Sequence, residues 1–526
     1  MSMTAVCSAA LAAVPVSPLL LLLILPISVP FYRLFLGPLS HVPGPSFACV
    51  SSIFLYCICY LGIEGRVLLY YHQKYNTPVL RVAPNSVSVS SPDALNPVYI
   101  AGGGLPKDPR YKNFRVEGHD TIFSTLETAY RDARAKAVLP LFAPSRFRTS
   151  CENGVFGELI EKFVDVLRAQ REEALSSRST VNRKVDILDL SSRLSIDVLT
   201  GVLFHKTYGG LEEKEEKSES SSRVGDTEPR SLTKQLSATP FVLAIVAFSR
   251  FSLLPHWLFN LVFSLLLGPT ISKPDVAASL TTVSQFVDSI ADGESTTAKD
   301  PDTYQARLLA AGISHQETLI QCKAAMFAGA DSTAVMLSTI IFYLVRRSDV
   351  RKKLKEEVRE RRSGVDYQSL PFLQAVIREG LRLGMANPAR LTRIVPSHNT
   401  GCTVSGVFLP PGTIVGASAY VFHHNPEVFS HPFEFLPERW LSSGEEGERR
   451  LKENDIFPYG LGSRTCLGRN LANQQLYATV ARVVESNVLD GAVTCTDKIE
   501  LIEWFNAEIK GHILEIQWPG PAPSVQ

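Results

Sequence analysis

The sequence predicts a mainly α-helical protein with a small β region, preceded by an N-terminal transmembrane helix. Three observations carry this. From Ala9 to Val29 the run "AALAAVPVSPLLLLLILPISV" has no charge. Helical patterning extends over residues 130–204 and again over 316–346. Residues 79–90, "VLRVAPNSVSVS", alternate and are rich in valine, which predicts short strands around a Pro-Asn turn.

A membrane span needs roughly 20 apolar residues, which the run 9–29 supplies. A cleaved signal peptide would need a basic stretch before it, and none is there. The first basic residue, Arg33, follows the run, which predicts a short lumenal tail (1–8) and a cytoplasmic body. Residues 30–46 read as a proline-rich hinge, since "HVPGPSF" stiffens the chain and stops a helix. From there to residue 526 the chain reads as a single domain. The uncharged run "SFACVSSIFLYCICYLGI" is modestly apolar and is expected to lie on the membrane or pack on the globule. Residues 211–235 lack aromatics and are crowded with charges and serines, which predicts a solvated loop. "FSLLPHWLFNLVFSLLL" (251–267) is expected to dip into lipid or guard a pocket. The stretch 316–346 carries one charge in its middle, Asp331. It is either a transmembrane helix with a buried acid or the central helix of a large helical protein. A buried carboxylate is costly without a partner, so both readings make Asp331 a functional candidate.

Bulk composition narrows the function classes. The formal net charge is +1, so no strong field selects nucleic acid. Nine cysteines, irregularly spaced in 526 residues, do not form a disulfide framework. No Cys-x-x-Cys pair or zinc-ligand histidine spacing occurs.

Local patterns then point to chemistry. In "LPFLQAVIREGLRLG" Glu379 and Arg382 share a helix face, and Arg439 of "FEFLPERW" could complete a Glu–Arg–Arg cluster. In "YGLGSRTCLGRNLA" glycines at 460, 462 and 468 let backbone approach something flat and bulky around Cys466. Arg464 lies two residues before the cysteine, and a helix is expected to begin just after it. A nearby arginine and a helix N-terminus both favour thiolate, which suits a metal ligand or a nucleophile.

Together these stretches resemble the cytochrome P-450 family, specifically its fungal, membrane-bound heme-thiolate monooxygenases. Gly462, Arg464, Cys466 and Gly468 match the family's Gly-x-Arg-x-Cys-x-Gly loop. "EGLR", "PERW", "AGADST" (328–333) and "HVPGP" match its other motifs, in order, over about residues 30–518. The resemblance implies the P-450 fold and a heme b whose axial thiolate is Cys466. It implies propionate contacts from Arg464, Arg134 and Arg393, with Arg390 close enough to confuse the last, and Tyr130 where the family has tryptophan or histidine. Asp331 and Ser332 take the place of its acid–alcohol pair, and Thr333 is the neighbouring hydroxyl. Tyr459 replaces a phenylalanine and brings a hydroxyl near the sulfur.

The resemblance also implies partners. The 60 residues after Cys466 are too few for a flavin or nicotinamide domain, so an NADPH–cytochrome P-450 reductase is expected. Arg449, Arg450 and Lys452 are candidates for a basic docking face. The expected location is the endoplasmic reticulum membrane, single-pass, in contact with membrane lipid. Substrate contacts are expected in residues 99–125, 240–267, after Gly384 and around Trp504, giving an apolar, aromatic pocket for a terpenoid, polyketide or alkaloid-like molecule of secondary metabolism. Two other readings stay open: a heme-thiolate isomerase or dehydratase without reductase, and a non-enzymatic heme-binding membrane protein.

Overall fold

The computed structural model describes residues 18–147, 154–176, 184–213, 236–292, 300–362, 364–398, 400–441 and 455–519. Helices dominate, and the sheets are small, as expected. The N-terminal part runs through α1 (Pro18–Phe31), α2 (Ser46–Val50), α3 (Ile53–Tyr60) and α4 (Glu64–Tyr75). Only the last 14 residues of the run up to Phe31 are described as helix, about 21 Å of rise. Residues 9–17 of the predicted span lie outside the described residues. The stretch 47–63 packs on the globule: Leu55, Ile58 and Cys59 of α3 are buried with Leu68 of α4 and Leu80 and Val82.

The hinge is docked. Gly44 lies so close to Arg81 that a Cβ there would sit 2.2 Å from its carbonyl oxygen. The valine-rich stretch forms β1 (Val79–Ala83) and β2 (Ser86–Val89), paired antiparallel around Pro84 and Asn85. They join β4 (Arg393–Ile394) and β7 (Ile414–Ala417) in a four-stranded sheet of order β1-β2-β7-β4. Smaller sheets pair β3 (Lys184–Asp186) with β11 (Glu515–Gln517) and β8 (Val493–Thr494), β5 (Cys402–Val404) with β6 (Val407–Leu409), and β9 (Leu501–Ile502) with β10 (Glu508–Ile509).

The helical body contains α5 (Thr128–Val138), α6 (Val155–Ser176), α7 (Ile187–Phe204), α8 (Thr239–Phe248), α9 (His256–Ile271), α10 (Pro274–Ala291) and α11 (Tyr304–Ala310). It continues with α12 (His315–Arg346), α13 (Ser348–Glu360), α14 (Pro371–Leu383), α15 (Ala419–His423) and α16 (Arg469–Glu485). Of the two readings for 316–346, the central helix holds. α12 is long and apolar enough to cross a membrane, but its apolar window is mostly buried by neighbouring helices. The Ser314 side chain accepts from the Glu317 N–H and caps its start. Gly329 brings α7 close: a Cβ there would lie 2.0 Å from Leu199 Cδ1, so this glycine serves helix packing. The predicted loop 211–235 lies outside the described residues from 214 on, as do the docking candidates Arg449, Arg450 and Lys452.

Candidate active site

The cysteine loop is anchored from both sides. The Cys466 N–H donates to the Tyr459 carbonyl (2.9 Å), and Ser463 Oγ donates to the Gly103 carbonyl (2.6 Å). Gly462 has φ +66°, and a Cβ there would fall 1.8 Å from the Tyr99 carbonyl oxygen. No side chain fits at that position. The loop then enters α16, and the N–H groups of Gly468 and Arg469 donate toward the sulfur. Cys466 keeps exposed surface, yet protein crowds it closely enough that burial pushes its thiol up. The helix-start donors and the Arg469 charge oppose that rise without cancelling it. The cation that opposes the rise at the sulfur is Arg469, while Arg464 lies in the field of Arg131 and Arg393.

Arg464 has another task. Its Nη1 is buried with no hydrogen-bond partner. Burial, Arg131 and Arg393 all push its guanidinium below the usual value, and Asp132 opposes them weakly. Lys107, 7% exposed, belongs to the same group and is pushed well down by burial and by Arg393, Arg464 and Arg131. Its Nζ donates to the Phe123 carbonyl (2.5 Å) and lies 4.3 Å and 4.2 Å from the Tyr111 and Phe123 ring centres. Among the described residues, Lys107, Arg393 and Arg464 make no ion pair, while Arg131 pairs with Asp132 (2.9 Å).

Tyr130 and Arg134 are not part of that group. Arg134 donates to both oxygens of Glu317 (2.5 and 2.9 Å), and its guanidinium stacks 3.4 Å over the Tyr130 ring. The Tyr130 hydroxyl donates to Glu317 as well (2.5 Å). Side chains one residue apart on a helix diverge by about 100°, so α5 turns Arg131 to the cations and Tyr130 to α12. The structure also separates Arg390 from Arg393. Arg390 is buried against Glu64 (2.7 Å) and Ser86 (3.0 Å), and Arg393 stays with the cations, 5.1 Å above the Tyr99 ring.

On α12, Asp331 is buried, Thr333 is buried, and Ser332 is partly exposed. The Ser332 hydroxyl donates to the Ala328 carbonyl (2.7 Å), which leaves its lone pairs to accept. Burial, and then the charge of Glu508, push Asp331 up to about 7. Two groups of aromatic rings come from the regions expected to contact substrate: Phe114 lies 4.5 Å from Phe505, and Phe241 lies 4.8 Å from Phe327 of α12. The Tyr459 hydroxyl donates to Asn473 (2.7 Å), so it is committed to α16 and not to the sulfur.

Glu379, Arg382 and Arg439 do meet. Glu379 and Arg382 are fully buried, and Glu379 accepts from Arg382 (2.8 and 2.9 Å), Arg439 (3.2 Å) and the Trp440 indole N–H (2.9 Å). Arg382 donates onward to the carbonyls of His423, Pro432 and Glu434, so every charge is met by a partner.

A family model described as "Cytochrome P450" matches residues 45–488. The chain belongs to the cytochrome P450 family. It is 49% identical over 93% of its length to the cytochrome P450 monooxygenase mfmF of Annulohypoxylon moriforme, covering 96% of that protein. It is 28% identical to the cytochrome P450 monooxygenase BOT1 of Botryotinia fuckeliana (91% of each chain) and 27% identical to a trichothecene C-4 hydroxylase of Trichoderma arundinaceum (88% and 90%). The enzyme is thus a cytochrome P450 monooxygenase, and the family's cofactor is heme held by a cysteine thiolate.

The residues present fit that cofactor. Heme carries two carboxylates, and this P450 offers four cations with an orphaned buried guanidinium N–H among them. A thiol flanked by helix-start N–H groups is a suitable iron ligand, because a coordinating thiol is deprotonated by the metal. Sequence reading missed Lys107, Arg131 and Trp440. Arg131 was within reach, being one residue from Tyr130. A buried lysine such as Lys107 has no local signature, since most lysines are solvated.

Proposed function

We propose that Cys466 is the axial thiolate ligand and that Arg131, Arg393, Arg464 and Lys107 take the propionates. The observation that carries this reading is the occurrence of Cys466, at the start of α16, together with a cation group built from the cysteine loop, α5, β4 and the segment before α5, in which only Arg131 has an ion-pair partner among the described residues. Heme, when bound, supplies oxygen activation, with the thiolate favouring O–O cleavage. The chain's own part is proton handling and substrate enclosure. Asp331 holds a proton near neutral pH. Ser332 presents acceptor lone pairs that orient a donor beside it.

The proposed substrate is an apolar small molecule of fungal secondary metabolism. The ring groups Phe114–Phe123–Phe505 and Phe241–Phe327 support it, as do relatives named trichothecene C-4 hydroxylase and averantin hydroxylase. Electrons come from a separate NADPH–cytochrome P450 reductase. The proposed location is the cytoplasmic face of the endoplasmic reticulum, with residues 9–29 as anchor. An exposed apolar surface supports contact with lipid. Trp257, Leu261 and Leu265 of α9 point outward, and rings of Phe263, Phe248, Phe251 and Tyr60 link that surface to α3.

The test is Cys466→Ala. It should abolish the thiolate-type spectrum of the reduced carbon monoxide complex, and persistence of that spectrum would show that another cysteine holds the iron.

A further inference from the structure

Asp331 and Glu508 come from distant parts of the chain to one corner of the molecule. Phe327 and Asp331 are four residues apart on α12 and share a face. Phe327 packs on the cluster of Val242, Val246 and Trp504, and Ile502 of β9 packs on the same cluster. Glu508 of β10 stands directly opposite Ile502 in the hairpin. Cross-strand partners project from the same side of a sheet, so the Glu508 side chain is carried to the corner that Asp331 faces.

No described residue neutralises the two carboxyls. Asp331 is 7% exposed, Glu508 is half-buried, and neither makes a hydrogen bond or ion pair among the described residues. Arg250 is the cation of that corner. It stacks 4.4 Å over the Trp504 ring and donates to the Ala247 carbonyl (2.7 Å). It makes no ion pair with Glu508 and only tempers the rise that burial imposes there. The charged group that acts on Asp331 is therefore Glu508, and the one that acts on Glu508 is Arg250. A poorly solvated carboxyl in the field of a second carboxylate ionises less easily.

We propose that Glu508 is a positioning residue of the monooxygenase reaction, acting through Asp331: its carboxylate keeps a proton on Asp331 at neutral pH. This rests on the reading of Asp331 as the proton-handling acid. The proton that leaves Asp331 is replaced from solvent through the half-exposed Glu508 carboxyl, so the pair returns to its starting state without any oxidant or reductant. The central helix then carries a loaded acid, where an Asp331 facing a base would stand ionised.

The experiment is an infrared pH titration of the ferric holoenzyme, following the protonated-carboxyl stretch across neutral pH. Wild type should show a carboxyl band that titrates near neutrality and is absent from Asp331→Asn. Glu508→Gln removes the charge and should lower the midpoint by about one pH unit. Glu508→Asp keeps the charge and should leave the midpoint in place. A midpoint unmoved by Glu508→Gln overturns the proposal, and so does an equal shift in Glu508→Asp, which would mark a packing effect. The carbon monoxide spectrum is recorded for each protein. If wild type lacks the thiolate type, the functional reading falls; if that spectrum is intact and the midpoint stays, the acid pair alone falls.

Discussion

Asp331 is a carboxyl held where water solvates it poorly, and that has a price in stability. Its pKa is about 7 in the folded protein against an ordinary 3.8. Between those values the folded state binds more protons than the unfolded one, so stability falls as pH rises through that window. Below about pH 4 the group is neutral in both states and costs nothing through ionisation. Asp331→Asn removes the ionisation. The variant should therefore gain stability relative to wild type as pH climbs from about 4 to 7, by at most about 3–4 kcal/mol. Any cost of burying the amide is independent of pH, so urea midpoints at a series of pH values isolate the effect. Ser332 has a different weakness. Its hydroxyl proton is given to Ala328, and serine lacks the β-methyl that restrains rotation in threonine. Ser332→Ala should retain heme and consume NADPH, while product per NADPH falls at least about tenfold and peroxide rises. Thr333→Ala, on a buried side chain turned away from Ser332, should leave the partition unchanged. The reverse result would make Thr333 the working alcohol.

At the scale of elements, α5 decides between two arginines. Arg134 is consumed by Glu317 and ties α5 to the start of α12, while Arg131 joins Arg393, Arg464 and Lys107. Arg131→Ala should speed heme loss to apomyoglobin by about tenfold, the scale of one lost hydrogen bond to a charged group. Arg134→Ala should lower stability and leave heme loss near wild type. Equal heme loss from both would return Arg134 to the propionates. This register is where the sequence was least legible. Tyr130 and Arg134 keep the family's spacing, and so pattern alone selects them. Only the rotation of the helix against α12 shows that the next residue faces the cations. The cysteine loop and the Glu379–Arg382 pair were legible because their residues are close in sequence and need nothing else to be placed. The cation group and the Asp331–Glu508 corner were not, because each is assembled from elements that only the tertiary fold brings together. The long central helix was half legible: its length and hydropathy fit a membrane span as well, and burial under neighbouring helices was the deciding fact.

At the scale of the whole molecule, the chain just after the proposed anchor is part of the globule. Arg33 Nη1 donates to the Val50 carbonyl (2.6 Å), and Arg81 Nη1 donates to the carbonyls of Arg33 (2.7 Å) and Leu39 (3.2 Å). Arg81 is 2% exposed, so those carbonyls, with that of Pro84 (2.9 Å), are what its guanidinium has in place of water. The position of a truncation therefore matters more than its length. Removing residues 1–32 leaves Arg33 and Leu39, and the protein should fold and bind heme with weakened membrane association. Some association should persist through Trp257, Leu261 and Leu265 on α9, an apolar surface independent of the N-terminus. Removing residues 1–40 takes both carbonyls from Arg81 and leaves buried N–H groups unpaired. That should cost about 1–3 kcal/mol beyond the shorter truncation, with no further loss of membrane binding. Flotation with liposomes and urea unfolding of the two truncated proteins separate these effects. If the 1–32 deletion already fails to hold heme, the helix ending at Phe31 belongs to the core; if the 1–40 deletion matches it in stability, the Arg81 contacts contribute nothing and the segment is a loose tether.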